Sequence, residues 1–492
     1  MAICSDTADV TSLPHELSRE FLLYHGICPL AIASNGQLRV AIAEGASEYR
    51  IAVGCNDLSD IYHRGIERVT LDTASFGQTV ERLATASLPV ELERDDERRV
   101  DTDARDLANQ PPVIRYVNFL LKEAYDRGAS DIHVEAGADG PAVRFRIDGV
   151  LVSAPEAPHG LGDAITSRTK LLAGLDIAER RRPQDGRIRA RLDSRSLDLR
   201  VSTVPTYFGE SVVIRLLDHG SVSPELTSLG MPDDILAAMS AISARSHGLI
   251  LVTGPTGSGK TTTLYAALLR RNLAAEKVIT VEDPVEYQLK SVTQVPVNRL
   301  TGVTFASALR SILRQDPDVV MVGEMRDAET AEIALQAATT GHLVFSTVHT
   351  NDAAGAVIRI RDLGMPGFLL AATLELVLAQ RLVRVICRSC RESYTPEATV
   401  VHMARRLGLP DSRPMHGRGC RECNETGYRG RVGVFELLTV TPEIRAAITA
   451  DASHAELMRL AIAAGMRPLV SNAWSLVASG ITTIEEVTRA VL

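Results

Sequence analysis

Residues 254–261, Gly-Pro-Thr-Gly-Ser-Gly-Lys-Thr, restrict what this chain can fold into more than any other stretch. They match G-x-x-x-x-G-K-[ST] in full, between an apolar run, Leu249-Ile250-Leu251-Val252-Thr253, and a helical pattern opening Thr262-Thr263-Leu264. A continuous apolar run of this kind reads as a strand of a parallel sheet covered on both faces. A glycine-rich turn at its end lets backbone N–H groups close around a phosphate, backed by the positive end of the helix dipole. Gly254, Pro255, Thr256, Gly257, Ser258, Gly259, Lys260, Thr261 and Thr262 are the expected nucleotide-binding residues. Lys260 should reach the β- and γ-phosphates of ATP, and the Thr261 hydroxyl should ligate Mg²⁺. A glycine-rich turn that binds nothing is the competing reading, and the strand–turn–helix context disfavours it.

Three more apolar runs, at residues 278–281, 319–322 and 343–346, alternate with helical segments, which predicts βαβ units and a parallel sheet. The second run ends in Gly323-Glu324, a carboxylate placed at a strand's C-terminal end to hold Mg²⁺ through water or orient an attacking water. The first ends in Glu282-Asp283-Pro284-Val285-Glu286, three carboxylates, one of which could supply the base for hydrolysis. Thr340-Gly341-His342 and Thr347-Val348-His349-Thr350 flank the last run and could sense the γ-phosphate; a lone histidine is more often structural.

A length of 492 residues suggests about three domains. The net charge of −8 excludes a chain held on nucleic acid or anionic lipid by bulk electrostatics. Only five of 53 basic residues are lysine, so a lysine required by chemistry is easy to find. No apolar stretch is long enough to span a bilayer; the best, residues 367–380, is broken by Glu375. Asp6 and Asp9 occupy positions where a signal peptide needs apolar residues, so the expectation is a soluble cytoplasmic protein. Residues 1–90 carry no catalytic motif, and twelve of the sixteen residues in 91–106 are charged, as in a solvated linker. From Pro111-Pro112 onward the spacing predicts a helix over 113–128, a strand at 143–147 closed by an Asp148-Gly149 hairpin, and two strands within 197–217. Residues 107–230 thus read as a small α+β domain.

Cys387-x-x-Cys390 and Cys420-x-x-Cys423, separated by 29 residues, offer four thiolates that can close tetrahedrally around Zn²⁺. Four ligands leave no position for water, so the zinc would be structural. Free thiols are the competing reading, and Cys4, Cys28 and Cys55 are read as packing residues.

The ordered series Gly128-Ala129-Ser130-Asp131-Ile132-His133, Arg144-Phe145-Arg146-Ile147-Asp148-Gly149, Pro183-Gln184-Asp185-Gly186-Arg187 and Arg200-Val201-Ser202-Thr203 precedes the phosphate loop. After it come the acidic box, Leu313-Arg314-Gln315-Asp316-Pro317-Asp318, Gly323-Glu324-Met325-Arg326-Asp327, Thr340-Gly341-His342-Leu343-Val344 and the cysteines with Gly427-Tyr428-Arg429-Gly430-Arg431. Over residues 107–492 the chain resembles the type II secretion and type IV pilus assembly ATPases, most of all the GspE-like secretion motors. The resemblance implies an α/β fold: a RecA-like P-loop domain with a parallel sheet, smaller α+β N-terminal domains and a tetracysteine zinc excursion at about 386–430. It implies a partner-docking domain at 1–90, a linker at 91–106, a second domain at 107–230 and the motor at 231–492. It also implies a homohexamer with ATP in a cleft between domains, Glu286 as general base, Glu324 as the Walker B acid, and His342 and His349 as the box histidines. Arg200 and Arg215 are the candidates to close over the phosphates.

The tetracysteine insertion argues for secretion or pilus extension over retraction, and the short N-terminal region for secretion. ATP hydrolysis would then drive pseudopilus assembly and protein export across the outer membrane; pilus extension is the alternative. Expected partners are inner-membrane platform proteins (a GspL-like cytoplasmic domain and a GspF-like platform protein), which would hold the chain peripherally at the inner membrane. Leu13-Pro14 with Pro29-Leu30 resembles half of a cyclic di-GMP-binding module; with the other half missing, partner docking is the expectation. A RecA-like nucleic-acid translocase is disfavoured by the charge, the 4% aromatic content and the absence of a lysine cluster.

Overall fold

The computed structural model describes residues 8–9, 19–33, 35–62, 64–86, 91–92, 108–157, 160–192, 195–218, 225–396 and 414–491. The chain divides into two compact units, Met1–Gly220 and Ser221–Leu492.

In the first unit, strands β1 (Ala8–Asp9), β2 (Ile27–Ile32), β3 (Leu38–Ala43) and β4 (Ile66–Leu71) form a sheet in that order. Helices α1 (Arg19–His25), α2 (Glu48–Tyr62) and α3 (Thr73–Ala86) pack on it around Leu22, Leu38, Val40, Leu58 and Phe76. Cys28 and Cys55 are buried in this core; Cys4 and Leu13-Pro14 lie outside the described residues.

A separate core in the same unit belongs to an antiparallel sheet of β5 (Glu91–Leu92), β6 (Ala129–Glu135), β7 (Ala142–Ile147), β8 (Val150–Ser153), β9 (Gln184–Leu192), β10 (Arg195–Thr206) and β11 (Gly209–Asp218). Their order is β5-β9-β10-β11-β6-β7-β8. Helix α4 (Pro111–Asp126) buries Val113, Val117, Leu120, Leu121 and Ala124, the spacing read from the sequence, with Pro111 in the first turn where its missing N–H costs nothing. Asp148 and Gly149 both take left-handed φ values in the β7–β8 hairpin. Helix α5 (Gly162–Leu172) places Lys170 in the interior, where its Nζ lies 2.7 Å from Glu210 Oε1 and donates to Glu179 O at 2.6 Å. One of the five lysines is therefore committed to a buried ion pair. Of the predicted linker only Glu91 and Leu92 are described, and they pair with Arg191 and Ala190 of β9. Backbone pairing at a sheet edge needs no side-chain pattern, so the charge run gave no sign of it.

The second unit is built on β12 (Gly248–Thr253), β13 (Val278–Glu282), β14 (Thr293–Pro296), β15 (Val319–Val322), β16 (Leu343–Val348) and β17 (Leu374–Ile386), all parallel to their neighbours. Strands β18 (Arg391–Ser393) and β19 (Met415–Gly417) pair with each other, and β20 (Tyr428–Thr439) joins β17 antiparallel. The seven-stranded order is β14-β13-β15-β16-β12-β17-β20, so β16 separates the phosphate-loop strand from the Glu324 strand. Leu249 and Leu251 of β12 enter one core, Ile250 and Val252 another, which is the two-sided burial expected of a parallel sheet. Helices α6 (Asp233–Ser243) and α7 (Lys260–Leu269) line the second core. The first takes α8 (Phe305–Ile312), α9 (Ala328–Thr339), α10 (Ala353–Asp362), α11 (Gly367–Thr373), α12 (Pro442–Thr449), α13 (His454–Ala463), α14 (Leu469–Ala478) and α15 (Ile484–Val491). The apolar stretch 367–380 divides between α11 and β17, and no helix among the described residues is long and apolar enough to cross a membrane.

Candidate active site and metal centre

The turn after β12 is held open by glycine and walled by β17. Gly259 precedes α7 with φ of 85°, and a side chain there would meet Gln380 Nε2 at 2.9 Å. A Cβ on Gly254 would collide with the Gln380 carbonyl and stand 3.2 Å from Arg381 Nη1. Gln380 is itself fixed, its Oε1 accepting from Thr263 Oγ1 on α7 at 2.7 Å.

Lys260 is buried, and its Nζ donates to Gly254 O at 2.8 Å and Pro255 O at 3.0 Å. Burial lowers its pKa to about 8, against the field of Glu324 and with that of Arg381. Ser258 is buried and its Oγ has no hydrogen-bond partner among the described residues. A buried hydroxyl of this kind is one that a phosphate oxygen satisfies, so the loop fits a nucleotide. Pro255, Thr256 and Gly257 are exposed, and Thr261 and Thr262 half-buried, on the same turn.

Glu324, buried at the end of β15, joins this site. Its Oε2 lies 2.6 Å from Arg326 Nε and 3.4 Å from His349 Nε2. Thr347 Oγ1 donates to Gly323 O at 2.7 Å and Met325 N to Thr347 O at 3.0 Å, which fixes the two strand ends together.

The two box histidines separate. Gly248 is opposite Leu343 and Thr253 opposite Val348, so the end of β16 lies beside the phosphate loop. His349 follows that end, whereas His342 precedes the other, about 23 Å of strand rise away. His342 Nδ1 lies 3.0 Å from Ala337 O and 3.3 Å from Thr340 Oγ1. Residues flanking a six-residue strand fall on opposite edges of the sheet, so within this unit His349, and not His342, stands beside the phosphate loop.

The acidic box also divides. Glu282 is buried, and its carboxylate accepts from Tyr265 Oη, from Thr280 Oγ1 at 2.5 Å and from Gln294 Nε2 at 3.1 Å. Burial and the Glu282 carboxylate push the Tyr265 phenol well above its ordinary pKa. Glu282 is thus taken up by contacts inside the fold. Asp283 is exposed and Glu286 half-buried just beyond it.

In the first unit, Arg187, Arg200 and Arg215 stand directly opposite one another on β9, β10 and β11. Asp131 of β6 is opposite Arg215, whose Nε it holds at 2.9 Å. Like charges in register are unfavourable, and Asp131 offsets part of that cost.

Sequence reasoning missed Arg381. It is buried on β17, with Nη1 donating to Gln380 O at 3.1 Å and Nη2 to Asn351 O at 2.8 Å. Burial lowers its pKa, opposed by Glu436 and Asp352. Glu436, buried on β20, accepts from Ala353 N at 2.8 Å and Leu469 N at 3.0 Å, the first residues of α10 and α14. Desolvation raises its pKa. Their signal in the sequence is faint, because both sit inside runs that otherwise read as plain strand.

The four cysteines meet. All their sulfurs lie within 4.8 Å of one another, with Cys387–Cys420, Cys390–Cys423 and Cys420–Cys423 separations of 3.8, 3.9 and 3.7 Å. A zinc–sulfur bond of about 2.3 Å gives a tetrahedral edge of about 3.8 Å, so the set fits zinc. Burial would raise the Cys423 thiol, but the Cys420 and Gly427 N–H groups, 3.2 and 3.3 Å from its sulfur, bring it down to about 7.

Residues 106–489 match the family described as Type II/IV secretion system protein. The chain is 44% identical over 481 residues to type II secretion system protein E of Xanthomonas campestris, covering 96% of this chain and 84% of that one. It is 46% identical over 420 residues to type II secretion system protein HxcR of Pseudomonas aeruginosa, covering 85% of each. Among solved structures, the pilus retraction motor PilT with bound ADP aligns at a TM-score of 0.53 and 30% identity, over 75% of this chain and 95% of PilT. The Legionella pneumophila ATPase DotB, at 0.55 and 21% over 81% of this chain and 98% of its own, shares the fold. By its matched length and the identity of its relatives, this chain belongs to the Type II/IV secretion system protein family.

Proposed function

We propose that this chain is the ATPase motor of a type II secretion system, with ATP and Mg²⁺ at the C-terminal edge of the second unit's sheet. The observation that carries the reading is the meeting of Lys260, the orphaned Ser258 hydroxyl, Glu324 and His349 at that edge. Lys260 binds the phosphates and exchanges its two loop carbonyls for stronger, charged acceptors. Thr261 and Glu324 serve Mg²⁺, and Glu286 is the general base that activates water. Arg200 and Arg215 are proposed as phosphate-binding residues, and Cys387, Cys390, Cys420 and Cys423 as the ligands of a structural zinc. Homohexamer assembly, docking of residues 1–90 on an inner-membrane platform protein, and pseudopilus assembly as the work done belong to the same proposal.

The test begins with nucleotide. Lys260→Ala should abolish tight ATP binding, while Glu286→Gln should keep ATP and lose turnover; strong loss of binding in Glu286→Gln would overturn the choice of base. ATPase activity per chain should rise with protein concentration, and further with the cytoplasmic domain of a platform partner. Activity that is flat in both, or stimulated by DNA, would point to a different RecA-like ATPase.

A further inference from the structure

Two buried cations approach the phosphate loop, and the nucleotide reading uses one. Lys260 binds phosphate; Arg381 faces the backbone at Gly254 from behind. Burying a guanidinium is costly, and a neutral side chain could fill the same volume. What an apolar side chain could not supply is the planar fork of donors that bonds two carbonyls at once, here Gln380 O on β17 and Asn351 O beyond β16.

Asn351 lies in the short loop that begins with His349. Thr350 is tied to Thr253 at the end of β12, its N donating to Thr253 Oγ1 at 2.9 Å and its Oγ1 lying 2.7 Å from the same atom. Asp352 Oδ1 accepts from Gly355 N at 2.7 Å and lies 2.9 Å from His454 Nε2. The loop is therefore pinned at three successive residues, and the pin at its middle is Arg381. His349 stands two residues upstream with its ring 3.4 Å from Glu324, a separation set by where the loop backbone lies. Glu436, whose field favours the Arg381 charge, anchors the first residue of the helix that follows the same loop.

We infer that Arg381 is a positioning residue for ATP hydrolysis: its fork ties the wall of the phosphate loop to the His349 loop, so that His349 and Glu324 keep one geometry over the γ-phosphate. This inference rests on the nucleotide reading above.

Full-length Arg381→Lys keeps the charge and loses the fork, and Thr253→Val cuts the loop's other tie at nearly constant volume. Both should bind a fluorescent non-hydrolysable ATP analogue within about threefold of wild type, with kcat down about ten- to hundredfold in Arg381→Lys, the worth of one charged hydrogen bond, and about two- to tenfold in Thr253→Val, the worth of a neutral one. Wild-type kcat in Arg381→Lys would overturn the inference. So would a loss appearing equally in analogue affinity, because a merely structural role distorts binding and turnover together. Wild-type protein that neither binds the analogue nor hydrolyses ATP would instead sink the nucleotide reading, and this inference with it.

Discussion

Replacing Glu486 with Gln should remove about 3 kcal/mol from the stability of the second unit at neutral pH, and far less in acid. Glu486 lies on α15, 1% exposed, and accepts from Arg384 Nη2 at 2.6 Å, Arg384 N at 3.0 Å, Arg489 Nη2 at 2.8 Å and Arg489 Nε at 3.0 Å. Burial alone would raise its carboxyl pKa, but the two guanidiniums and the backbone N–H outweigh it and hold the group at about 2 against an ordinary 4.5. That gap corresponds to about 3 kcal/mol. Because the folded value is the lower one, the stabilisation is complete above the unfolded pKa and is lost as pH falls from 4.5 towards 2. At pH 3 roughly 1.4 kcal/mol should remain. Trp474, the chain's single tryptophan, is buried in α14 beside α15, so its fluorescence in a urea titration reports on this unit. Equal midpoints for wild type and Glu486→Gln at pH 7 would refute the reasoning. A difference unchanged at pH 3 would do the same.

The remaining predictions use other parts of the structure. His349→Ala should lower kcat for ATP by about tenfold or more, as for a lost transition-state contact, while His342→Ala stays within about twofold; similar effects from both would contradict their placement on opposite edges. Tyr265→Phe should cost about 1–3 kcal/mol in thermal or urea unfolding, because the buried Glu282 carboxylate loses its phenol donor. Cys387→Ser should release zinc, measured by metal analysis of the purified protein, and lower the unfolding temperature; unchanged metal content would rule out the tetrathiolate site.

What the sequence disclosed was whatever is encoded locally. The phosphate loop, the four apolar strands, the Asp148-Gly149 hairpin and the paired cysteines each occupy a short stretch whose residue types dictate one geometry. Features made by chain crossing were silent. Gln380 and Arg381 reach Gly254 and Gly259 from more than a hundred residues downstream, in a segment legible only as apolar. The acidic box looked uniform until packing buried Glu282 against Tyr265 and left Asp283 exposed and Glu286 half-buried. The separation of the two histidines was hidden for a simpler reason: proximity in sequence across an extended strand is distance in space.

Strands β17 and β20 pair antiparallel from Leu376 opposite Thr439 to Ile386 opposite Tyr428, so the whole cysteine excursion takes the place of a hairpin turn. The two Cys-x-x-Cys units sit near its base: Cys387 follows the paired Ile386 directly, and Asn424 to Gly427 separate Cys423 from the paired Tyr428. Loop-closure entropy grows only as the logarithm of length, and the proposed tetrathiolate zinc at the neck would confine even that cost to the segment beyond it. The register of the two motor strands would thereby be insulated from how long the distal segment is. Between β18 and β19 the chain can lengthen or shorten while the sheet that carries the phosphate loop keeps its alignment.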